Sequence, residues 1–223
     1  MSRATYAELG DACATAHAME LIGPRWTYPI LRELMMGPKR FGDLLTSVRG
    51  ITPAVLTARL REMSATGLIE PLDTGTQQPL HVYGLTTWAH ELAPVLNHLG
   101  RWAQSSPVRS ADGGLTPDGA VQAMITMSQG LAPAQPVRLQ LHLADERVRG
   151  ATAHAYRVRW TRTRFAAGPG ELGNPPTTVH CDSSSWAGVL FAGRPLETSG
   201  ARVTGDPTAV DRLVDAFRGH SQH

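Results

Sequence analysis

Long apolar runs are missing from this 223-residue sequence. No uncharged apolar stretch of about 18 residues occurs, so no membrane-spanning helix is expected. The opening segment, Met1 to Gly10, carries Arg3 and Glu8 and no apolar core. A secretory leader is therefore not expected, and a cytoplasmic location follows by elimination. Cysteine is scarce. Cys13 and Cys181 stand far apart, which argues against a disulfide scaffold and against a zinc cluster. Lysine is almost absent: Lys39 stands alone beside the arginines, a bias that, with abundant Ala and Gly, reads as GC-rich coding rather than selection on charge. The net charge of +2 is too small to argue for nucleic acid by itself. Catalytic signatures are missing too. There is no GxSxG, no P-loop, no HExxH and no paired-metal spacing, so neither an enzyme nor a metal or cofactor site is expected. No internal repeat is visible.

What is present suits two folded domains. Apolar residues make up 42% of the chain, enough for packed cores. Helical spacing predicts a first helix over 13–22, with Ala16, Met19 and Ile22 on one face, and a second over 27–36, lined by Ile30, Leu31 and Leu34. Pro29 falls in a first turn, where its missing N–H costs little. A third helix is predicted over 41–48. The fourth has the clearest start: Thr52 is a good N-cap and Pro53 a good first residue, and Gly67 ends it. Its Leu56, Leu60 and Met63 repeat at i, i+4 and i+7, so that face is buried. Strands are expected over 68–72 and 80–85, joined by a turn-rich tip, then a long helix over 87–104 with Pro94 kinking it or marking its true start. Its apolar stripe is Leu92, Val95, Leu96, Leu99 and Trp102.

The segment 105–114 is polar, contains Gly and Pro, and reads as a linker between domains over 1–104 and 115–223. Beyond it, helices are expected over 117–129 and 183–191, with a last helix opened by Asp206. Strands are expected over 137–143, 156–163, 177–181 and 202–204, and 168–176 reads as loop. The fold class is α+β: an N-terminal winged helix-turn-helix followed by a mixed α+β domain.

The order helix, helix, helix, hairpin, helix is the layout that puts a small-faced helix into a major groove. Thr52, Pro53, Ala54, Val55, Thr57 and Ala58 suit close groove approach. Arg59 and Arg61 can reach phosphates or a guanine edge. Lys39 and Arg40 stand at the start of the preceding helix, where backbone N–H groups also favour a phosphate. From Gly37 to Arg61 five basic residues face one acid, Asp43. Gln77 and His81 are the wing candidates. Read singly, Arg59 could instead pair with Glu62, and Lys39 and Arg40 could be surface charge.

The residues Cys13, Met19-Glu-Leu-Ile-Gly-Pro-Arg-Trp-Thr27, Ile30-Leu-Arg-Glu-Leu34, Gly37-Pro-Lys-Arg-Phe41, Ile51-Thr-Pro53, Arg59-Leu-Arg-Glu62 and Gly67-Leu-Ile-Glu70 closely resemble the HxlR family of bacterial regulators, over about 11–102. The resemblance implies a homodimer paired through its N- and C-terminal helices, binding palindromic double-stranded operators as repressor or activator. The chain departs from that pattern in the wing. A basic residue is usual near Leu80 and an acid at Val82, and Thr87-Trp88-Ala89 stands where Pro-Lys-Gly is frequent. The wing tip has no positive charge, which places more weight on the recognition helix.

Cys13 occupies the place of an N-terminal cysteine that senses oxidants or electrophiles in some members of that family. Such chemistry needs an accessible, acidified thiol. The alternative is a small buried residue on a dimer helix.

Residues 137–219 resemble a sterol-carrier-protein-like domain. The resemblance rests on Cys181-Asp-Ser-Ser-Ser-Trp186, Leu190-Phe-Ala-Gly193 and Val203-Thr-Gly-Asp206. It implies a small hydrophobic or aromatic effector and no catalysis. Wall candidates are Met124, Met127, Trp160, Phe165, Trp186 and Phe191, with His142, His154 and Arg157 as polar contacts. The run His180-Cys181-Asp182 makes a poor catalytic set, because strand neighbours point to opposite faces. Two rivals to a ligand-modulated regulator stand: a redox regulator switched at Cys13, and a hydrophobic-ligand binding protein with no DNA role.

Overall fold

The computed structural model describes residues 4–73, 82–108 and 113–219. The chain divides into two compact units, Met1–Ala93 and Pro94–His223.

In the first unit α1 (Ala14–Ile22) buries Ile22 and leaves its other residues exposed or half-buried. Helix α2 (Thr27–Leu34) buries Ile30, Leu31 and Leu34, and Pro29 sits in its first turn as its missing N–H requires. A two-residue strand, β1 (Lys39–Arg40), precedes α3 (Phe41–Ser47). Helix α4 (Pro53–Ala65) starts where its cap dictates, with Thr52 Oγ1 accepting from Val55 N–H at 3.4 Å. It ends in a left-handed Gly67 (φ +74°), which lets Leu68 N–H reach back to Met63 O at 2.9 Å. Strands β2 (Ile69–Leu72) and β3 (Val82–Leu85) follow. The antiparallel sheet has the order β1-β3-β2, with Lys39 opposite Tyr83 and Ile69 opposite Leu85. Thr86 locks its base, donating to Gly67 O at 2.7 Å and accepting from Ala89 N–H at 3.1 Å. That second bond caps α5 (Thr87–His90).

The single helix expected over 87–104 is broken in two: α6 (Leu92–Gln104) begins afresh, so Pro94 lies in a first turn and marks a true start. Leu96 and Asn97 are its buried residues, while Val95, Leu99 and Trp102 are 55%, 44% and 74% exposed. The expected apolar stripe is therefore largely uncovered within this chain.

In the second unit α7 (Pro117–Met127) is capped by Thr116, whose hydroxyl accepts from Gly119 N–H at 3.0 Å. The sheet follows: β4 (Val137–Ala144), β5 (His154–Trp160), β6 (Phe165–Pro169) and β7 (Thr177–Asp182). Then come α8 (Ser183–Phe191), β8 (Arg202–Gly205) and α9 (Thr208–Arg218). The strand order is β6-β5-β4-β7-β8, antiparallel except for the parallel pair β4–β7. The expected loop over 168–176 begins too early, because Gly168 and Pro169 belong to β6; likewise β5 ends at Trp160 rather than at 163. Alternation sends Leu139, Leu141, Leu143, Tyr156, Val158, Trp160, Val179 and Cys181 to the core and leaves the other face to polar side chains. The buried Asp118 carboxylate accepts from Tyr156 Oη at 2.7 Å, tying α7 to β5. Asp206 lies two residues before α9 and accepts from Thr208 N–H at 2.9 Å. Among the described residues no helix is long and apolar enough to cross a membrane.

Candidate nucleic-acid interface

Helix α4 has two unlike sides. Leu56, Leu60 and Met63 are buried at 0–2% exposure and anchor it to the core. The opposite side is open at its front: Pro53, Ala54, Val55 and Ala58 are exposed, and Arg61 follows one turn later, also exposed. Small side chains at a helix front allow the backbone to approach base edges, and an arginine beside them supplies the fork that matches a phosphate or guanine. Thr52 is exposed but spends an oxygen lone pair on its cap. Thr57 is half-buried and donates its hydroxyl hydrogen to Pro53 O at 2.9 Å, so outward it offers its methyl group and oxygen lone pairs.

The two arginines differ. Arg59 is folded back against its own helix and paired with Glu62, its side chain 21% exposed. Arg61 projects from the exposed side. Lys39 and Arg40 lie on β1 rather than in the helix that follows. Arg40 is exposed, Lys39 is half-buried, and the Asp43 carboxylate accepts the Arg40 backbone N–H at 3.3 Å. A carboxylate thus occupies the start of α3, where a phosphate was expected. Gln77 and His81, with the rest of the wing tip, lie outside the described residues.

Cys13 is the N-cap residue of α1, and it is exposed, not a buried helix residue. The first-turn N–H groups of Ala16 and Thr15 hold its thiol below the ordinary cysteine pKa. His17, one turn along α1, stands 3.6 Å from Glu20. Cys181 is the opposite case: burial and the neighbouring Asp182 push its thiol up to about 11. His180 faces the other side of the sheet, and Asp182 caps α8 through Ser185 N–H at 2.8 Å, so the three residues form no catalytic group.

The candidate effector residues separate into two sets. Trp160, Phe165 and Phe191 gather around Phe217 of α9, a residue outside the candidate set. Ring centroids lie 4.8 Å (Trp160–Phe217), 5.0 Å (Trp160–Phe165) and 5.5 Å (Phe191–Phe217) apart. Met124 and Trp186 are fully buried, Met127 is half-buried, and His154 is exposed at the start of β5. The buried Trp186 Nε1 finds no hydrogen-bond partner among the described residues. A cleft of about 210 Å³ is lined by Leu196, Glu197, Asp211, Val214, Asp215 and Arg218, among others, and by none of the candidates. It is smaller than the few hundred Å³ usual for a small-molecule pocket.

Comparison with known proteins concerns the N-terminal part. Residues 21–110 match the model of the HxlR-like helix-turn-helix family. The HTH-type transcriptional regulator sll1512 of Synechocystis is 37% identical over 90 residues, covering 40% of this chain and 66% of that protein. A Mycobacterium tuberculosis regulator, Rv3095, is 35% identical over 89 residues, covering 40% of this chain and 56% of that protein. YkvN of Bacillus subtilis is 33% identical over 91 residues, covering 41% and 77%. The chain therefore spans less than two thirds of the length of several relatives it matches. Among solved structures, the reduced form of the transcriptional regulator YodB from B. subtilis is 27% identical, with a TM-score of 0.41 over 44% of this chain and 97% of YodB. From its helix order, its capped fourth helix and its kinship with YkvN, the chain belongs to the HxlR-like helix-turn-helix family.

Proposed function

We propose that the chain is a sequence-specific, DNA-binding transcription regulator that works as a homodimer, with the front of α4 entering the major groove of an operator. One observation carries the reading: Leu56, Leu60 and Met63 anchor α4 while Ala54, Val55, Ala58 and Arg61 stay exposed. A second copy of the chain fits the uncovered side of α6, because Val95, Leu99 and Trp102 repeat at i, i+4 and i+7 and together form an apolar stripe. On this reading residues 1–104 bind DNA and dimerise, 105–114 link, and 115–223 form a sterol-carrier-like domain for a small hydrophobic or aromatic effector. The aromatic group around Phe217 supports an apolar effector. Its binding biases the operator affinity only insofar as it prefers one dimer state.

The test is selection of genomic fragments by the full chain, followed by release with small aromatic and hydrophobic compounds. Enriched fragments that Arg61→Ala binds more weakly support the reading. Retention of hydrophobic compounds with no affinity for any duplex would favour a ligand-binding protein with no DNA role.

A second reading has its own observation. The exposed, acidified thiol of Cys13 at the start of α1 suits attack on an electrophile or disulfide. Operator release by diamide that is lost in Cys13→Ser would assign the switch to that thiol.

A further inference from the structure

The open face of the five-stranded sheet gathers positive charge in a way that folding alone does not favour. Arg138 on β4 stands directly opposite Arg159 on β5. His142 on β4 stands opposite His180 on β7, and His180 opposite Arg202 on β8. The two imidazoles are stacked, centroids 4.5 Å apart and rings 7° from parallel. Arg157 joins the same face, one pair along from Arg159. Like charges directly opposite across a sheet destabilise it, yet Arg138 and Arg159 face each other across β4 and β5, and Arg202 adds a further cation on β8. His180 responds to it: burial, His142 and Arg202 all hold its pKa below the usual histidine value, and Glu171 alone opposes them.

Few acids answer these cations among the described residues. Glu171 Oε2 lies 3.9 Å from His142 Nε2 and is itself mostly exposed. Asp182, at the end of β7, is engaged at the start of α8. Arg138 and Arg157 donate to the carbonyls of Gly173 and Pro169 at 2.8 and 2.9 Å, which holds the following loop over Gln140 while both side chains stay exposed. Arg159 and Arg202 are exposed as well. From β5 to β8 the charges cover three inter-strand gaps, about 14 Å at the usual strand spacing. That is too wide for a single phosphate or carboxylate and suits a row of anions.

We infer that this face binds the phosphate backbone of duplex DNA, as a second contact in addition to that of the recognition helix. The inference rests on the reading of α4 as a DNA reader, since a duplex held by α4 brings phosphates to high local concentration. Arginine forks match phosphate oxygens, and the small and polar residues near them on the same sheet, Ala166, Thr178 and Thr204, leave the backbone room to approach.

The experiment measures duplex affinity of the full chain against salt concentration, for the parent, for Arg159→Gln/Arg202→Gln and for Arg61→Gln. The two outer positions lack the loop contacts of Arg138 and Arg157, and a melting curve for each variant shows that folding is retained. The expected result is a salt slope shallower by roughly 0.9 for each phosphate contact removed, in both variants. A shallower slope in Arg61→Gln with an unchanged slope in Arg159→Gln/Arg202→Gln overturns this inference alone and leaves the face to an acidic protein surface. Absence of duplex binding by the parent overturns it together with the reading of α4.

Discussion

Arg59 and Arg61 lie two positions apart on one helix and keep different company. Arg59 is held by Glu62 against its own helix, whereas Arg61 projects from the exposed side of α4. Arg61→Ala is expected to weaken duplex binding and to lower the salt slope by about one unit per contact. Arg59→Ala is expected to change the slope less, because its exposed ion pair contributes only about 0.2–0.5 kcal/mol to the helix and already occupies the guanidinium. Fluorescence titration at several salt concentrations reads both. The sequence showed the spacing that permits an Arg59–Glu62 pair but could not show which arginine would take it. The two thiols differ in the same way. Cys13 should react with iodoacetamide at a pH below that of a free cysteine, while Cys181 should stay unlabelled near neutral pH until the second unit unfolds. Mass spectrometry across a pH series checks this. Equal labelling of both would contradict the burial assigned to Cys181.

Among the elements, α4 was the most legible. Its N-cap, first-turn proline, apolar repeat and terminal glycine all point to one helix, and it runs where those signals place it. Thr52→Ala should cost about 0.5–1 kcal/mol, toward the low end for a cap because the bond is long at 3.4 Å. Leu60→Ala, deep in the first unit, should cost about 2–5 kcal/mol; denaturant titration separates the two. Other elements carried too little pattern. Strand β1 has two residues, too short for any periodicity, and exists only because β3 offers an edge. Strand β6 reads Phe-Ala-Ala-Gly-Pro; its small residues and its glycine and proline signal a loop, but pairing with β5 overrides that preference. On α6 the stripe was legible as apolar, but its exposure was not, because periodicity tells which side wants cover and not whether the same chain supplies it. If that cover is a second copy, Leu99→Glu should shift the protein from dimer to monomer in sedimentation equilibrium and weaken operator binding in step. An unchanged dimer would place the interface elsewhere.

For the whole molecule, the change of texture in the sequence falls after residue 104, whereas the two compact units divide within α6, after Ala93. Tertiary contacts explain the displacement. Asn97 Oδ1 accepts from Gln122 Nε2 and from Thr126 Oγ1, both at 2.9 Å, and Arg101 donates to Thr126 O at 3.2 Å, so most of α6 packs with the second unit through polar side chains that helical periodicity does not register. The proposed effector site was the least legible part. Large soft residues are core and cavity wall alike in a sequence, and here Met124, Trp160 and Trp186 are core.

The central claim is that α4 presents its small, exposed side to duplex DNA. It is tested most directly by titrating the full chain against a genome-enriched duplex and an unrelated duplex from low to physiological salt. The account predicts binding to both at low salt, a linear fall of log affinity with log salt, and a preference for the enriched duplex that survives at physiological salt. No affinity for either duplex at low salt would contradict it.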